Sequence, residues 1–522
     1  MKKHLFLFLS TSLALCSCGS PTNSSSLNNS DGSNSNDLSD TSSDTSDTTS
    51  DQSDNSESSE GWEYKPYKPE TAEFDEESIV LRAPVFSDEH CERTSPINSS
   101  VQTTNSIKKF TELVGRTDFD LWLSTGDRSL TGTLAADQEW LNAYEAGCEG
   151  SSNNLFFCHG NHDVYWSGCA SRQEHYDFFN TKGIYNNDED DGQPETGNRH
   201  RIVNGFDFIA IDITTYDGKT NPISLSTTNW ARKILNKCDK TKPVFVLAHA
   251  TAKNTIIGSC DDQADGVWGS SQALYDIVKD YPNVILFTGH THYEGHDERN
   301  IWQGGFTAIN VPTLAGGMVM DTYFNGIFDP LYTEDSEGNR TYKASGVING
   351  FPETEDPKYS SSQGLYLEVD SHNNTRITRY DLKHGVQMKN PWVISAPKED
   401  KSHLETYSER SQRRYDFGPH ANGNVETRFS NGSLEVSFDA FKHDDMVMAY
   451  EVQTFVGKEI KDIGDFDIPV ERNVFYADYY KNYPESSSYV VSFTKLYSSG
   501  TIVRVIALDS WGKYSMFYAK VK

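Results

Sequence analysis

The stretch Leu155-Phe156-Phe157-Cys158-His159-Gly160-Asn161-His162-Asp163 decides the fold. It is a short apolar run that delivers a glycine and then Asn161, His162 and Asp163, the pattern of a strand buried on both faces that ends in a polar turn. Four more runs follow the same plan. Ile79-Val80-Leu81-Arg82-Ala83-Pro84-Val85-Phe86 leads into Ser87-Asp88-Glu89-His90, and Phe119-Asp120-Leu121-Trp122-Leu123 into Ser124-Thr125-Gly126-Asp127. Val244-Phe245-Val246-Leu247-Ala248 leads into His249, and Val284-Ile285-Leu286-Phe287 into Thr288-Gly289-His290-Thr291-His292. Amphipathic stretches separate these runs, so residues 79–395 read as alternating strands and helices, an α/β arrangement. Sheets of this class carry ligand sites at the carboxyl ends of their strands. Each of the five runs delivers its Asp, Asn or His residues there.

A carboxylate shared by two cations, with imidazoles and one carboxamide completing each shell, suits borderline divalent ions such as Mn, Fe or Zn better than Ca. Ligands on rigid strand ends hold such ions near the roughly 3.5–4 Å separation used for in-line displacement at phosphorus. The glycines before Asp127, Asn161 and His290 let the backbone turn sharply and come close to the ions.

The ordered set Asp88-x-His90, Gly126-Asp127, Gly160-Asn161-His162-Asp163, His249, Gly289-His290-Thr291-His292 resembles the calcineurin-like metallophosphoesterases. The resemblance implies a four-layer sandwich, two β-sheets flanked by helices, over residues 74–397. It implies two divalent metal ions with Asp127 bridging, Asp88, His90 and His292 completing one site, and Asn161, His249 and His290 the other. His162 is implied as the residue beside the metals that protonates the leaving group, oriented by Asp163. The implied reaction is hydrolysis of a small phosphate ester by a hydroxide between the two cations, with no covalent intermediate.

The sequence departs from the family at two places. Many members carry Asn or Asp three positions after the bridging Asp, where this chain has Leu130; its role is absent or supplied from elsewhere. The Asp-Arg-Gly of protein Ser/Thr phosphatases is missing from Gly126-Asp127-Arg128-Ser129-Leu130. His90, and the lack of a Tyr ligand after Gly126-Asp127, argue against the purple acid phosphatase branch. Outside the ligand set, Arg128 reads either as a bidentate phosphate clamp or as a surface salt bridge. His296 reads as a substrate-pocket residue or a solvated loop histidine. His159 reads as a site residue or, by strand alternation, as one that points away, and His175 is structural or exposed. Tyr165 and Trp166 form an apolar wall for the leaving group or belong to the core. Residues 316–350, rich in Gly, Asp and Asn with interleaved aromatics, read as an insertion that shapes the substrate pocket or packs as a surface loop.

Residues 1–18, MKKHLFLFLSTSLALCSC, have two lysines and then eleven residues from Leu5 to Leu15 dominated by apolar side chains. That is short of the about 20 residues of a membrane span but suits the core of a secretory signal. Leu15-Cys16-Ser17-Cys18 resembles a bacterial lipobox, which implies lipid on Cys18; Cys16 competes, disfavoured by bulky Leu15 before it. Residues 19–60 hold seven Asp, two Glu, no Lys or Arg and no aromatic residue, too little apolar surface to offset the entropy of ordering. Residues 19–73 are thus read as a linker spanning on the order of 40 Å, on an exported protein held to the outer face of the cell membrane by its lipid. The six cysteines beyond the signal permit up to three disulfides, and no CxxC pair suggests a thiolate zinc site.

From residue 398 to 522 the pattern becomes short alternating strands, such as Leu434-Glu435-Val436-Ser437-Phe438 and Ile502-Val503-Arg504-Val505-Ile506-Ala507-Leu508, an all-β sandwich. Its late segment, residues 504–512, resembles a fibronectin type III-like domain. The formal charge of the chain is −30, which disfavours binding of duplex nucleic acid because that depends on Lys and Arg at phosphates. A small diester or nucleotide substrate is favoured over a monoester. The competing reading is a non-catalytic surface-binding or adhesion protein on the same fold, against which the complete ligand set weighs. Oligomeric state is open.

Overall fold

The computed structural model describes residues 71–522 apart from 93, 95–97, 149–153, 166, 214–221, 258, 260–269, 294, 315–331, 335–339, 343–361, 409–418, 422–424, 431–432, 444–445, 465–466, 478–486, 496 and 510–513. Cys18, the linker to residue 70, Trp166, Cys260 and most of residues 316–350 therefore lie outside the described residues.

The first sheet uses β1 (Ile79–Phe86), β2 (Trp122–Ser124) and β3 (Leu155–Phe157), which run parallel. The second begins with β4 (Arg199–Val203) and β5 (Phe206–Ala210), then β6 (Val244–Ala248) and β7 (Val284–Thr288), and ends with β8 (Ile301–Gln303) and β9 (Thr307–Asn310). Its order is β4-β5-β6-β7-β9-β8, with β5, β6, β7 and β9 parallel. A hairpin of β10 (Tyr332–Glu334) and β11 (Arg340–Tyr342) follows. The chain then returns to the first sheet with β12 (Gln363–Asp370), β13 (Thr375–Asp381) and β14 (Val386–Ile394), giving the order β14-β13-β12-β1-β2-β3. Strand β12 pairs antiparallel with β1.

The two sheets face each other, and side-chain alternation decides which residues meet between them. On β6, Phe245 and Leu247 point into the inter-sheet core, while Val244, Val246 and Ala248 point outward. On β7, Ile285 and Phe287 point in, and Val284 and Leu286 out. Both faces are apolar, which is why these strands read as unbroken hydrophobic runs. The outer face of the first sheet is covered by α1 (Ser99–Val114), α2 (Leu134–Gly147) and α4 (Arg172–Thr181), through Ile107, Phe110, Trp140, Tyr144 and Phe179. Between α2 and α4 lies the one-turn α3 (Asn161–Val164). The second sheet is covered by α5 (Leu225–Lys237) and α6 (Gln272–Val278) through Trp230, Ile234, Leu274 and Ile277. The result is the four-layer α/β architecture expected. Short polar side chains start the helices: Asn98, Thr133, Ser171, Ser224 and Ser271 each accept a first-turn N–H, and Ser171 with Glu174 closes a capping box.

The C-terminal region is all-β. Three antiparallel strands, β15 (Val425–Ser430), β16 (Ser433–Asp439) and β19 (Ser488–Phe493), form one sheet. Four more, β17 (Val447–Phe455), β18 (Glu471–Tyr476), β20 (Ile502–Asp509) and β21 (Tyr514–Lys520), form another in the order β18-β17-β20-β21. Leu434, Val436 and Phe438 of the first pack with Tyr450, Val452, Val503 and Val505 of the second.

Of the five described cysteines beyond the signal, Cys91, Cys148, Cys158 and Cys238 are buried free thiols, and Cys169 is half-buried. No disulfide joins any of them to another, so the sequence's provision for a framework is not used among the described residues.

Leu367, fully buried between the sheets, is expected to cost about 3 kcal/mol of stability when changed to Ala. Leu225→Ala, at an exposed position on α5, is expected to change stability by less than about 0.5 kcal/mol. Urea unfolding of the two variants checks the contrast.

Candidate metal centre

Strands β1, β2 and β3 run parallel in one sheet and β6 and β7 in the other, so each set delivers its polar residues at one end, and ligand atoms from both sets meet. The turn after β1 is tied to the turn after β2 by backbone bonds: Asp88 N–H donates to the Gly126 carbonyl at 3.0 Å, and His90 N–H to the Asp127 carbonyl at 2.9 Å. Asp88, His90, Asp127, His290 and His292 all have left-handed backbone, with φ of 54°, 44°, 52°, 71° and 54°. Each such residue costs on the order of 1–3 kcal/mol unless the surroundings hold it. Asp and His tolerate the region better than bulkier side chains. Gly126 takes φ +103° and packs on the next turn, where a Cβ would stand 2.6 Å from the Gly160 nitrogen. A Cβ on Gly160 would stand 2.0 Å from Asp127 Oδ1. The glycines thus serve the close approach of one turn to another.

Two groups of ligand atoms result: Asp88, His90, Asp127 and His292 in one, and Asp127, His249 and His290 in the other, the atoms of each within 4.8 Å of one another and every residue buried. His90 Nε2 and His292 Nε2 lie 3.4 Å apart. Nε2 of His90 is 3.8 Å from Asp127 Oδ2, and Nε2 of His249 is 3.2 Å from the same oxygen. Asp88 Oδ1 lies 2.8 Å from His292 Nε2 and 4.0 Å from His249 Nε2. The other carboxylate oxygens are occupied: Asp88 Oδ2 accepts from Ser87 Oγ and the His290 N–H, and Asp127 Oδ1 from the His162 N–H at 2.8 Å. His249 Nδ1 lies 2.9 Å from the Thr125 carbonyl, which fixes the proton there and leaves Nε2 facing Asp127.

These residues fit a pair of divalent cations. Asn161 is 2% exposed, and its Oδ1 is buried without a hydrogen-bond donor, which is costly unless a cation takes that place. The donor set mixes imidazole, carboxylate and carboxamide, as borderline ions prefer.

The charges are consistent. Burial opposes ionisation of Asp127, but the imidazoles of His249, His162 and His90 hold its carboxyl well below the ordinary range. Burial keeps His90 well below the usual imidazole value. Burial would also lower His249, yet Asp127, Asp88 and the Thr125 carbonyl draw it up to about 10. Before a cation arrives, His249 therefore carries a proton that the cation must displace.

Other expected site residues are placed differently. Arg128 is fully buried, with Nη1 3.0 Å from Asp137 Oδ1, Nε 3.5 Å from Asp163 Oδ2, and its guanidinium over the rings of Phe157, Phe179 and Trp140 at 4.5, 4.9 and 5.1 Å. It is neither a phosphate clamp nor a surface salt bridge: the chain turns it inward under the site. Asp163 does not orient His162. Its carboxylate accepts from the Gly160 N–H at 2.9 Å and the Ser129 N–H and hydroxyl at 3.1 and 3.2 Å. The ring of His162 is held by the Leu130 carbonyl, 3.1 Å from Nδ1. Residue 130 thus contributes through its main chain, for which a Leu serves. The ring of His162 stands edge-on to that of His90, centroids 4.8 Å apart. His296 is 3% exposed and is not a solvated loop histidine. His159 does point away, its Nδ1 3.6 Å from Asp212. Tyr165 is tied through its hydroxyl to the Ile213 carbonyl and to Arg172, at the edge of the site turn.

Sequence reasoning missed Glu89, whose neighbours Asp88 and His90 drew the reading. It is buried, accepts from the Tyr144 hydroxyl at 2.9 Å, and burial pushes its carboxyl up to about 8. It also missed Thr125 and Leu130, because a backbone carbonyl leaves no mark in a sequence. Asp137 and the spacing of His175 on α4 were the available signals for the buried partners of Arg128.

Residues 82–294 match the model of the calcineurin-like phosphoesterase family. No curated protein matches the chain. Among solved structures it is similar to a purple acid phosphatase from yellow lupin (Lupinus luteus) seeds, at 14% identity and a TM-score of 0.39, over 62% of this chain and 55% of that one. It is also similar to a 5′-nucleotidase precursor from Thermus thermophilus, at 14% identity and a TM-score of 0.27, over 65% of this chain and 61% of that one. The chain spans less than two thirds of the length of either. The matched span contains all six residues of the Asp/His cluster.

Two outcomes follow from this geometry. Metal uptake by the apo-protein near pH 7 is expected to release protons, and apparent affinity to strengthen as pH rises towards the His249 value; an indicator dye in weakly buffered solution reads both. Gly160→Ala is expected to displace Asp127 and cut retained metal more than about tenfold, measured as metal content after dialysis.

Proposed function

We propose that the chain is a dinuclear-metal hydrolase of small phosphate esters, acting on a diester or nucleotide-type substrate. The observation that carries this reading is the convergence of six buried ligand residues, with Asp127 common to both ligand groups, and the nearby turn after β3 carrying Asn161, whose Oδ1 is buried without a donor. Two ions of Mn, Fe or Zn held there would supply charge neutralisation for the phosphoryl oxygens and a water acidic enough to ionise near neutral pH.

The chain's own residues do the rest. Asp88 and Asp127 each commit one oxygen to hydrogen bonds and turn the other to the imidazoles, so the ligand shell is set before substrate arrives. The Leu130 carbonyl fixes the proton of His162 on Nδ1 and places the ring beside His90. A protonated Nε2 there hands its proton to the departing ester oxygen. No serine or cysteine nucleophile is needed.

The setting is read from the sequence: export, lipid on Cys18, and a polar linker that lets the enzyme stand off the outer face of the cell membrane. The C-terminal sandwich is read as fibronectin type III-like, which its three-plus-four strand arrangement supports; a spacing or adhesion role suits a module with no ligand cluster among its described residues.

Turnover of bis-p-nitrophenyl phosphate and p-nitrophenyl phosphate with Mn, Fe or Zn tests the proposal. The diester is expected to be the better substrate, and Asp127→Asn to lower kcat by at least about 100-fold. Neither ester being turned over by protein shown to hold metal would overturn it. His162→Gln is expected to lower kcat by about 10²–10⁴-fold on an alkyl ester and far less on p-nitrophenyl esters, whose leaving group needs no proton.

A further inference from the structure

Beneath the Asn161–Val164 turn lies a layer of buried charge that the hydrolytic chemistry does not touch. Arg128 reaches Asp137 on α2 at 3.0 Å and the Asp163 carboxylate at 3.5 Å. The second oxygen of Asp137 lies 2.5 Å from His175 Nδ1 on α4, and His175 Nε2 lies 3.0 Å from the Asp163 carbonyl oxygen. Both nitrogens of His175 thus face acceptors. Arg128, Asp137 and His175 are each 0% exposed. Together they close a ring on Asp163, holding it by its carboxylate and by its main chain.

What this ring fixes belongs to the metal centre. The turn presents the His162 N–H to Asp127 Oδ1 at 2.8 Å and carries Asn161, whose Oδ1 has no donor. In the group of Asp88, His90, Asp127 and His292, Asp88 and His90 follow β1, and His292 follows β7 on the turn that also carries His290; this group has no residue on the Asn161–Val164 turn and shares only Asp127 with the other. Removing one partner from a buried set of charges leaves the others uncompensated, and Asp163, which those charges hold, is part of the turn.

We propose that Arg128, Asp137 and His175 are positioning residues that set the Asn161–Val164 turn, and through it the cation site of Asn161, His249 and His290, while touching neither cation nor substrate. The inference rests on the metal-centre reading above. Its signature is selectivity: disturbing the layer weakens one of two cations.

The test is Zn²⁺ titration of the full chain in competition with a chromophoric chelator, with ion content measured after dialysis. Wild type is expected to bind two ions. Asp137→Asn is expected to hold one ion within threefold of wild type and the other 10–100-fold more weakly, with an unchanged near-ultraviolet circular dichroism spectrum. His175→Gln, which keeps a donor for the Asp163 carbonyl, is expected to give the same asymmetry at about tenfold and decides the matter if Asp137→Asn does not fold. Wild type binding no ion overturns the metal-centre reading itself. Wild type binding two ions, with both variants retaining both affinities or losing both equally, overturns the positioning proposal alone. Failure of both variants to fold overturns it too, since the layer would then be a folding determinant.

Discussion

Asp88 and Asp127 are two carboxylates sealed from water and aimed at the same imidazole, His249, at 4.0 and 3.2 Å. Like charges so placed are tolerable only beside positive charge. Much of the catalytic module can be understood from that requirement. Four imidazoles close round the pair, the Thr125 carbonyl fixes His249, and the His162 and His290 N–H groups each hold a carboxylate oxygen. A centre of this kind cannot be assembled from mobile loops, because each of its parts is costly to bury without the others.

The frame supplies the rigidity. Five ligand residues sit in left-handed backbone, and the strain is held by main-chain bonds that continue the parallel pairing beyond β1 and β2. Those strands are anchored on both faces, by the opposing sheet through Leu81, Val85 and Leu123 and by the helices through Phe86 and Trp122. Rigid strands and strained turns are therefore one device. The strands cannot relax, so the turns keep the conformations that point five side chains inward.

The sequence made the parallel strands legible because both their faces are apolar, and the ligands legible because each follows such a run. It was silent where the main chain does the work. Leu130 looked like the loss of a polar partner, yet its carbonyl holds His162 as a side chain would. Arg128 looked available because it follows Asp127, yet the left-handed turn at residue 127 sends the next side chain into the aromatic layer under α2 and α4. Asp163 looked like the orienter of its neighbour His162. In a one-turn helix adjacent side chains diverge, and Asp163 turns back to its own cap, the Gly160 N–H. The C-terminal strands that alternate cleanly were readable, whereas β15, β18 and β21 are paired edge elements whose pattern is too mixed to stand out.

The formal charge of −30 bears differently on the whole chain and on its centre. Phosphate polyanions such as duplex nucleic acid need an extended basic surface, and an excess of carboxylates opposes that at long range. A single small phosphate ester meets a different field. Screening confines the repulsion of exposed carboxylates to about 8–10 Å at physiological ionic strength, whereas the buried imidazoles of His90, His249, His290 and His292 and the cations they are suited to hold act at contact in a medium of low dielectric. An acidic exterior is therefore compatible with the proposed action on a small phosphate ester, whose single anionic group meets the buried centre at contact range.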